Sequence, residues 1–229
     1  MKKTIMVALA LLCAGWMAQA AGIQKILFLG NSITLHGPNK GIGWEGNWGM
    51  AASALDKDYV HLVAKGLSGP DGTKPKILVK NIASFERQYG TYDSTDLVKE
   101  CAAFAPDLIV VAIGENVPAL TNATQQTLFA TKTAELLTAI RAERRPQIVV
   151  RSCFWANAAK DGALKTACQE VGGRYVDIGA LGRDEANYAR SEREYTHKGV
   201  AAHPGDRGMQ AIADAIIKAV REDSPAKRP

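Results

Sequence analysis

Cysteine is scarce in this 229-residue chain, and neither sign of charge dominates it. The four cysteines form no CxxC pair and no cysteine–histidine cluster, which argues against a zinc site. The 28 basic and 23 acidic residues give a formal net charge of only +5, and the basic residues are dispersed along the chain. A nucleic-acid-binding protein usually concentrates positive charge on one face, so we expect no nucleic-acid partner.

Long apolar runs are also missing, except at the N-terminus. Two lysines precede an apolar stretch over residues 5–15, and Ala18-Gln19-Ala20 matches a small-x-small cleavage site. No later run approaches the roughly 20 apolar residues that span a bilayer. The sequence therefore predicts a signal peptide over residues 1–20, a periplasmic or secreted domain over residues 21–222 without stable membrane insertion, and a loose tail over residues 223–229.

The predicted mature domain keeps three cysteines, a number that cannot pair fully within one chain. Cys153 lies in a strand-like stretch, and Cys101 and Cys168 lie in helical ones. We expect buried free thiols, although spacing alone does not exclude one disulfide.

Short apolar runs alternate with stretches of helical periodicity, a pattern typical of βαβ units and a parallel sheet. The sequence predicts an α/β fold in which a five-stranded parallel sheet carries helices on both faces. The predicted strands are residues 26–29, 77–79, 108–113, 148–150 and 175–178. The predicted helices are residues 59–67, 94–104, 125–142 (with a stripe of Leu128, Leu136, Leu137 and Ile140), 158–171 and about 206–220 (with Met209, Ile212, Ile216 and Val220 on one face).

Polar residues follow two of the predicted strands. Ser32 comes directly after Gly30-Asn31, and Asn116 follows the third strand in Gly114-Glu115-Asn116. Open α/β sheets place their chemistry at the carboxyl ends of the strands, where an Asn amide can donate a hydrogen bond to an oxyanion. Ser32 also suits the N-cap of a following helix, and Asn116 suits the cap of a turn.

A histidine near the C-terminus completes the candidate set. His203 lies in a Pro- and Gly-containing loop before the last helix, where Asp206 suits the N-cap or the first turn. His197 is six residues away, but no third ligand supports a metal pair. The GxGxxG match at residues 41–46 does not follow a strand, so it does not indicate a dinucleotide site. We expect neither metal nor cofactor.

The order Gly-Asn-Ser (residues 30–32), Gly-x-Asn (residues 114–116) and His-Pro (residues 203–204) resembles the SGNH or GDSL-type hydrolases, which include esterases, lipases and carbohydrate deacetylases. The resemblance implies a three-layer, flavodoxin-like sandwich. It also implies that Ser32 is the nucleophile and His203 is its base. The implied oxyanion donors are the Ser32 N–H, the Asn116 amide and the backbone N–H of Glu86. Such a protein would be an exported serine esterase, with O-acetyl groups on carbohydrate as one substrate.

Two positions depart from the family pattern. Val200 stands three residues before His203, where the family usually has the aspartate that orients the imidazole. Either a backbone carbonyl or another acid must then orient His203, and the candidate acids are Glu86, Glu115, Asp184 and Glu194. Glu86 stands where the family usually has a glycine, so its carboxylate either approaches Ser32, orients a neighbour such as His36, or lies exposed in a loop.

A glycine-rich loop over residues 41–52 contributes Trp44 and Trp48. These indoles either bind a sugar or acyl group or cover the first helix. His36 and Glu115 are further candidates for the walls of a substrate site. The alternative function is a catalytically weak glycan-binding module that uses the two tryptophans and lacks the aspartate. We favour the esterase because a binding module does not need Ser32, Asn116 and His203 together.

Overall fold

The computed structural model describes residues 22–222, so the predicted signal peptide and C-terminal tail lie outside the described residues. Five parallel strands form one sheet in the order β2-β1-β3-β4-β5. Because Gly30 at the end of β1 pairs with Asn81 of β2 and Ala112 of β3, three strands end level at the carboxyl edge of the sheet. The strands are β1 (Lys25–Gly30), β2 (Lys76–Asn81), β3 (Leu108–Ala112), β4 (Gln147–Arg151) and β5 (Arg174–Val176).

Helices cover both faces of the sheet. One apolar core packs helices α2 to α5 against the sheet, and a second core packs α1 and α7 against the opposite face. Alternate residues of β3 enter the two cores, which explains why this strand is apolar throughout. The helices are α1 (Tyr59–Gly66), α2 (Ala83–Gln88), α3 (Thr95–Phe104), α4 (Ala123–Arg141), α5 (Ala158–Glu170), α6 (Lys198–Ala201) and α7 (Asp206–Glu222).

The α/β class, the five-stranded parallel sheet and the three layers are confirmed. The predicted apolar face of α7 is buried, but the predicted stripe on α4 is partly wrong: Leu128 is 41% exposed and its neighbour Phe129 is buried instead. No helix begins at Ser32. The chain makes one turn there, in which the Thr34 and Leu35 N–H groups both donate to the Asn31 carbonyl, so Ser32 caps no helix.

The expectation of buried free thiols is confirmed for Cys101, Cys153 and Cys168. Within residues 22–222, no helix has the length and apolar character needed to cross a bilayer.

Candidate active site

Ser32 and His203 meet at the carboxyl edge of the sheet. Ser32 follows β1, His203 lies between α6 and α7, and the Ser32 Oγ is 2.8 Å from the His203 Nε2. The other ring nitrogen, Nδ1, is 2.7 Å from the Gly199 carbonyl oxygen. A carbonyl only accepts hydrogen bonds, so Nδ1 carries the proton of the neutral ring and the Nε2 lone pair faces the serine hydroxyl. This tautomer suits removal of the Ser32 proton.

The Gly199 carbonyl therefore binds the ring nitrogen that an aspartate usually binds in the SGNH or GDSL-type hydrolases. Among the described residues, none of the four candidate acids hydrogen-bonds to the His203 ring. Asp184 accepts from the Ala186 N–H and from Arg207. Val200 is buried in an apolar cluster of Trp44, Met50, Ala51 and Ala189. The sequence left a carbonyl and an acid as alternatives, and the geometry favours the carbonyl.

Trp155 is a neighbour of His203 that the sequence analysis missed. The two rings meet edge to face, with centroids 5.5 Å apart. Burial of the imidazole lowers the pKa of His203, and the bond to the Gly199 carbonyl opposes that shift only in part. His203 is consequently neutral at neutral pH, the form able to accept a proton. The sequence could have indicated Trp155 through its position shortly after β4, which places it at the same edge of the sheet as Ser32.

Glu86 holds the Asn116 side chain beside Ser32. The Asn116 Nδ2 donates to one Glu86 carboxylate oxygen at 2.9 Å, and the other oxygen accepts from the Asn116 N–H at 3.2 Å and the Gly114 N–H at 2.6 Å. One hydrogen of the Asn116 amide remains free to donate elsewhere. Gly114 has φ +123°, and an added Cβ would lie 2.5 Å from the Cys153 sulfur, so the turn requires glycine.

The backbone donors near Ser32 differ in part from the expectation. The Ile33 N–H donates to the Asn31 side chain, whereas the Ser32 N–H has no acceptor among residues 22–222. The Glu86 N–H donates to the Ile82 carbonyl at 3.2 Å inside α2. The Glu86 N–H was expected to be an oxyanion donor, but it is used within the helix. The Glu86 side chain supports Asn116 instead.

A buried ion pair lies behind these groups. The Arg151 side chain is fully buried, and its Nη1 is 2.7 Å from a Glu115 oxygen that also accepts the Phe154 N–H. The Asn31 amide donates to Glu115 at 2.7 Å and to Glu86 at 3.2 Å. This amide therefore links the two carboxylates. Arg151 is the second functional-site neighbour that the sequence analysis missed.

The pKa values of the two buried carboxyl groups, Glu86 and Glu115, are shifted in opposite directions. Burial and the nearby Glu115 charge raise the pKa of Glu86, although the bonds from Asn116 and Gly114 oppose that shift. Burial alone would also raise the pKa of Glu115, but the Arg151 guanidinium and the donors from Phe154 and Asn31 hold it below its ordinary value. Glu115 is thus the ionised partner of Arg151. It lies behind the site rather than along its wall.

A cavity of about 320 Å³ opens over Ser32. His36 lies on its wall, as expected, and its Nδ1 is 2.6 Å from the Gly37 carbonyl oxygen. His197 also lies there and caps α6, and residues 22–222 hold no cluster of three metal-ligating side chains. The lining residues are Ser32, His36, Ile42, Met50, Asn81, Ala83, Arg87, Asn116, His197, Gly199, Val200 and His203.

Trp44 and Trp48 do not line this cavity, contrary to the substrate-binding expectation. The Trp44 indole donates to the His36 carbonyl, and the Trp48 indole donates to the Ala52 carbonyl. Their rings pack edge to face, with centroids 5.7 Å apart. The two indoles instead hold the loop that carries His36 against the body of the domain.

Comparison with known proteins gives the fold. No family model and no curated protein matches the sequence. Among solved structures, a protein described as a GDSL-like lipase from Bacteroides uniformis has a TM-score of 0.55 at 14% identity, over 88% of this chain and 97% of that one.

Two carbohydrate esterases are similar in structure over part of their length. A family two carbohydrate esterase from Cellvibrio japonicus has a TM-score of 0.52 at 19% identity, over 88% of this chain and 61% of that one. An active-site mutant of the family two enzyme from Clostridium thermocellum, solved with cellohexaose, has a TM-score of 0.55 at 14% identity, over 87% of this chain and 64% of that one. The chain therefore shares the fold of these GDSL-like lipase and carbohydrate esterase structures.

Proposed function

We propose that the protein is an exported serine esterase that hydrolyses carboxylic esters through an acyl-enzyme. The observation that carries the proposal is the 2.8 Å contact between the Ser32 Oγ and the His203 Nε2, in a cavity that also exposes the Asn116 amide. A hydroxyl, a neutral base and an oxyanion donor are the groups that acyl transfer requires. The signal-like N-terminus supports export to the periplasm or the medium.

In the proposed reaction, the Ser32 Oγ attacks the ester carbonyl while the His203 Nε2 takes the hydroxyl proton. The Ser32 N–H and the free Asn116 amide hydrogen stabilise the negative charge on the carbonyl oxygen. The tetrahedral intermediate expels the alcohol, which receives the proton from Nε2. His203 then takes a proton from water, whose oxygen attacks the acyl-enzyme, and collapse of the second intermediate releases the acid and returns the proton to Ser32.

The substrate we propose is an O-acetyl ester on a carbohydrate. A cavity of about 320 Å³ is at the small end of ligand sites, so it suits a short acyl group. Similarity of fold to carbohydrate esterases supports a sugar as the alcohol part. The glycan-binding alternative loses its main support, because the Gly199 carbonyl substitutes for the missing aspartate and both loop tryptophans are held away from the cavity.

Hydrolysis of p-nitrophenyl acetate tests the proposal. Ser32→Ala and His203→Ala should each lower kcat/KM by about 10³-fold or more, because each removes a member of a unit that acts together. Ser84→Ala is the matched control: this serine is exposed on α2 and makes no side-chain hydrogen bond within residues 22–222. Activity that survives Ser32→Ala would exclude Ser32 as the nucleophile. Glycan binding by calorimetry, without turnover of any ester, would favour the binding module.

A further inference from the structure

Arg87, on the wall of the cavity, has no partner among residues 22–222. Ala83 and Arg87 are four residues apart on α2, so they share a helix face, and both line the cavity over Ser32. Glu86, the residue before Arg87, is buried and holds Asn116. The short helix α2 therefore holds the Asn116 amide with the Glu86 side chain, and its next residue, Arg87, lines the cavity.

Arg87 differs from most other arginines of the described chain. Arg144, Arg174, Arg190 and Arg207 each contact a carboxylate, and Arg141 and Arg221 donate to backbone carbonyls. Within residues 22–222, Arg87 has no hydrogen bond, ion pair or ring contact, although it lies beside a concave site. No aspartate or glutamate lines the same cavity. Among residues 22–222, the lining thus includes a permanent positive charge and no carboxylate.

We propose that Arg87 binds a carboxylate on the ester substrate and makes the site selective for anionic esters. This inference rests on the proposed esterase function and narrows its substrate class. The guanidinium is always charged, and its planar fork of donors matches a carboxylate in a bidentate pair. The carboxylate belongs either to the alcohol part, as in an acetylated uronic acid of an acidic polysaccharide, or to the acyl part, as in a dicarboxylic half-ester.

Two pairs of matched esters locate that carboxylate. The first pair is O-acetylated methyl glucuronoside and O-acetylated methyl glucoside, which differ in the charge of the alcohol part. The second pair is the p-nitrophenyl half-ester of succinate and p-nitrophenyl butyrate, which differ in the charge of the acyl part. The wild type should show a kcat/KM about 10-fold or more higher for the anionic member of one pair, the gain expected from a charge-assisted hydrogen bond. Added salt should reduce that preference.

Variants of Arg87 should change the ratio of kcat/KM for the anionic ester to kcat/KM for the neutral ester within the preferred pair. Arg87→Gln should bring it close to one, and Arg87→Glu should invert it. Arg145→Gln is the matched control, because Arg145 is also exposed and without a partner among the described residues but precedes β4 at the opposite edge of the sheet. It should keep the wild-type ratio. A wild type with no preference in either pair, or an Arg87→Gln variant that keeps the preference, would overturn the inference.

A binding measurement separates this inference from the esterase proposal. Ser32→Ala should stop turnover of all four esters, and an enzyme that turns over none of them would contradict the esterase function. Calorimetry of both members of each pair with the Ser32→Ala protein tests Arg87 whether or not turnover occurs. Tighter binding of the anionic member that is lost on adding Arg87→Gln supports the inference, and binding that does not change contradicts it.

Discussion

The two sides of Ser32 are built from opposite kinds of groups. On the histidine side, defined by His203, Gly199, Val200 and Trp155, the contacts are a backbone carbonyl, an aromatic edge and an apolar cluster. On the oxyanion side, defined by Asn31, Glu86, Glu115, Asn116 and Arg151, the groups form a connected network of buried charges and amides. The buried carboxylates of this site therefore lie on the side of the proposed oxyanion donor Asn116, and none of them hydrogen-bonds to His203 among the described residues.

This difference has a physical consequence for each side. A carbonyl fixes the ring orientation and the tautomer but brings no full negative charge to the ring. Burial therefore lowers the pKa of His203, and the Gly199 bond and the Glu115 charge oppose that shift only in part. The oxyanion side places two carboxylates near the proposed oxyanion position. Arg151 compensates the charge of Glu115. N–H donors from Gly114, Asn116 and Asn31 stabilise the Glu86 carboxylate, while burial and the Glu115 charge raise its pKa. The network therefore fixes the Asn116 side chain in place.

The largest expected effect comes from breaking the ion pair on the oxyanion side. Glu115→Gln leaves the Arg151 guanidinium buried without its counter-charge, so the free energy of unfolding should fall by about 3–5 kcal/mol. Urea unfolding followed by circular dichroism measures this change. Glu185→Gln breaks the exposed pair with Arg190 and should move the unfolding midpoint very little. Equal small effects of both variants would show that the network is not structurally important.

The next effect tests the oxyanion donor itself. Asn116→Ala should lower kcat on p-nitrophenyl acetate by about 10²–10³-fold with a smaller change in KM, because the amide contributes mainly in the transition state. Glu86→Gln keeps the size of the side chain but replaces one acceptor oxygen with a donor. It should therefore lower kcat by about 10-fold, the scale of one weakened hydrogen bond. A rise in KM with unchanged kcat in both variants would instead assign the pair to substrate binding.

The sheet and the main helices could be predicted because their patterns are local. Continuous apolar runs marked the strands, and 3.6-residue periodicity marked the helices. Helix α2 was missed because six residues are too few to show that period, yet this helix carries both Glu86 and Arg87. The turn after Ser32 was also missed. It depends on contacts with a later loop, in which the Met50 N–H donates to the Ser32 carbonyl and the His36 N–H to the Trp48 carbonyl.

The candidate site was predictable to the extent that its residues stand at strand ends and in loops. Ser32, Asn116 and His203 have such positions, and the structure brings all three to one cavity. Gly199 has no such signal, because it acts through a carbonyl that every residue possesses. In the sequence, Arg151 directly follows the predicted strand 148–150. Its burial depends on partners that include Glu115, which lies 36 residues earlier in the chain and meets it across the fold.

The pH dependence of kcat/KM most directly tests the claim that a carbonyl, and no carboxylate, orients His203. Activity should be full while the ring is neutral and should fall as the pH decreases through the His203 pKa. Because burial lowers that pKa and no carboxylate among residues 22–222 hydrogen-bonds to the ring, the acid limb should lie below the ordinary histidine value of about 6.5. A limb at about pH 7 or above would indicate a carboxylate beside the ring and would contradict the account.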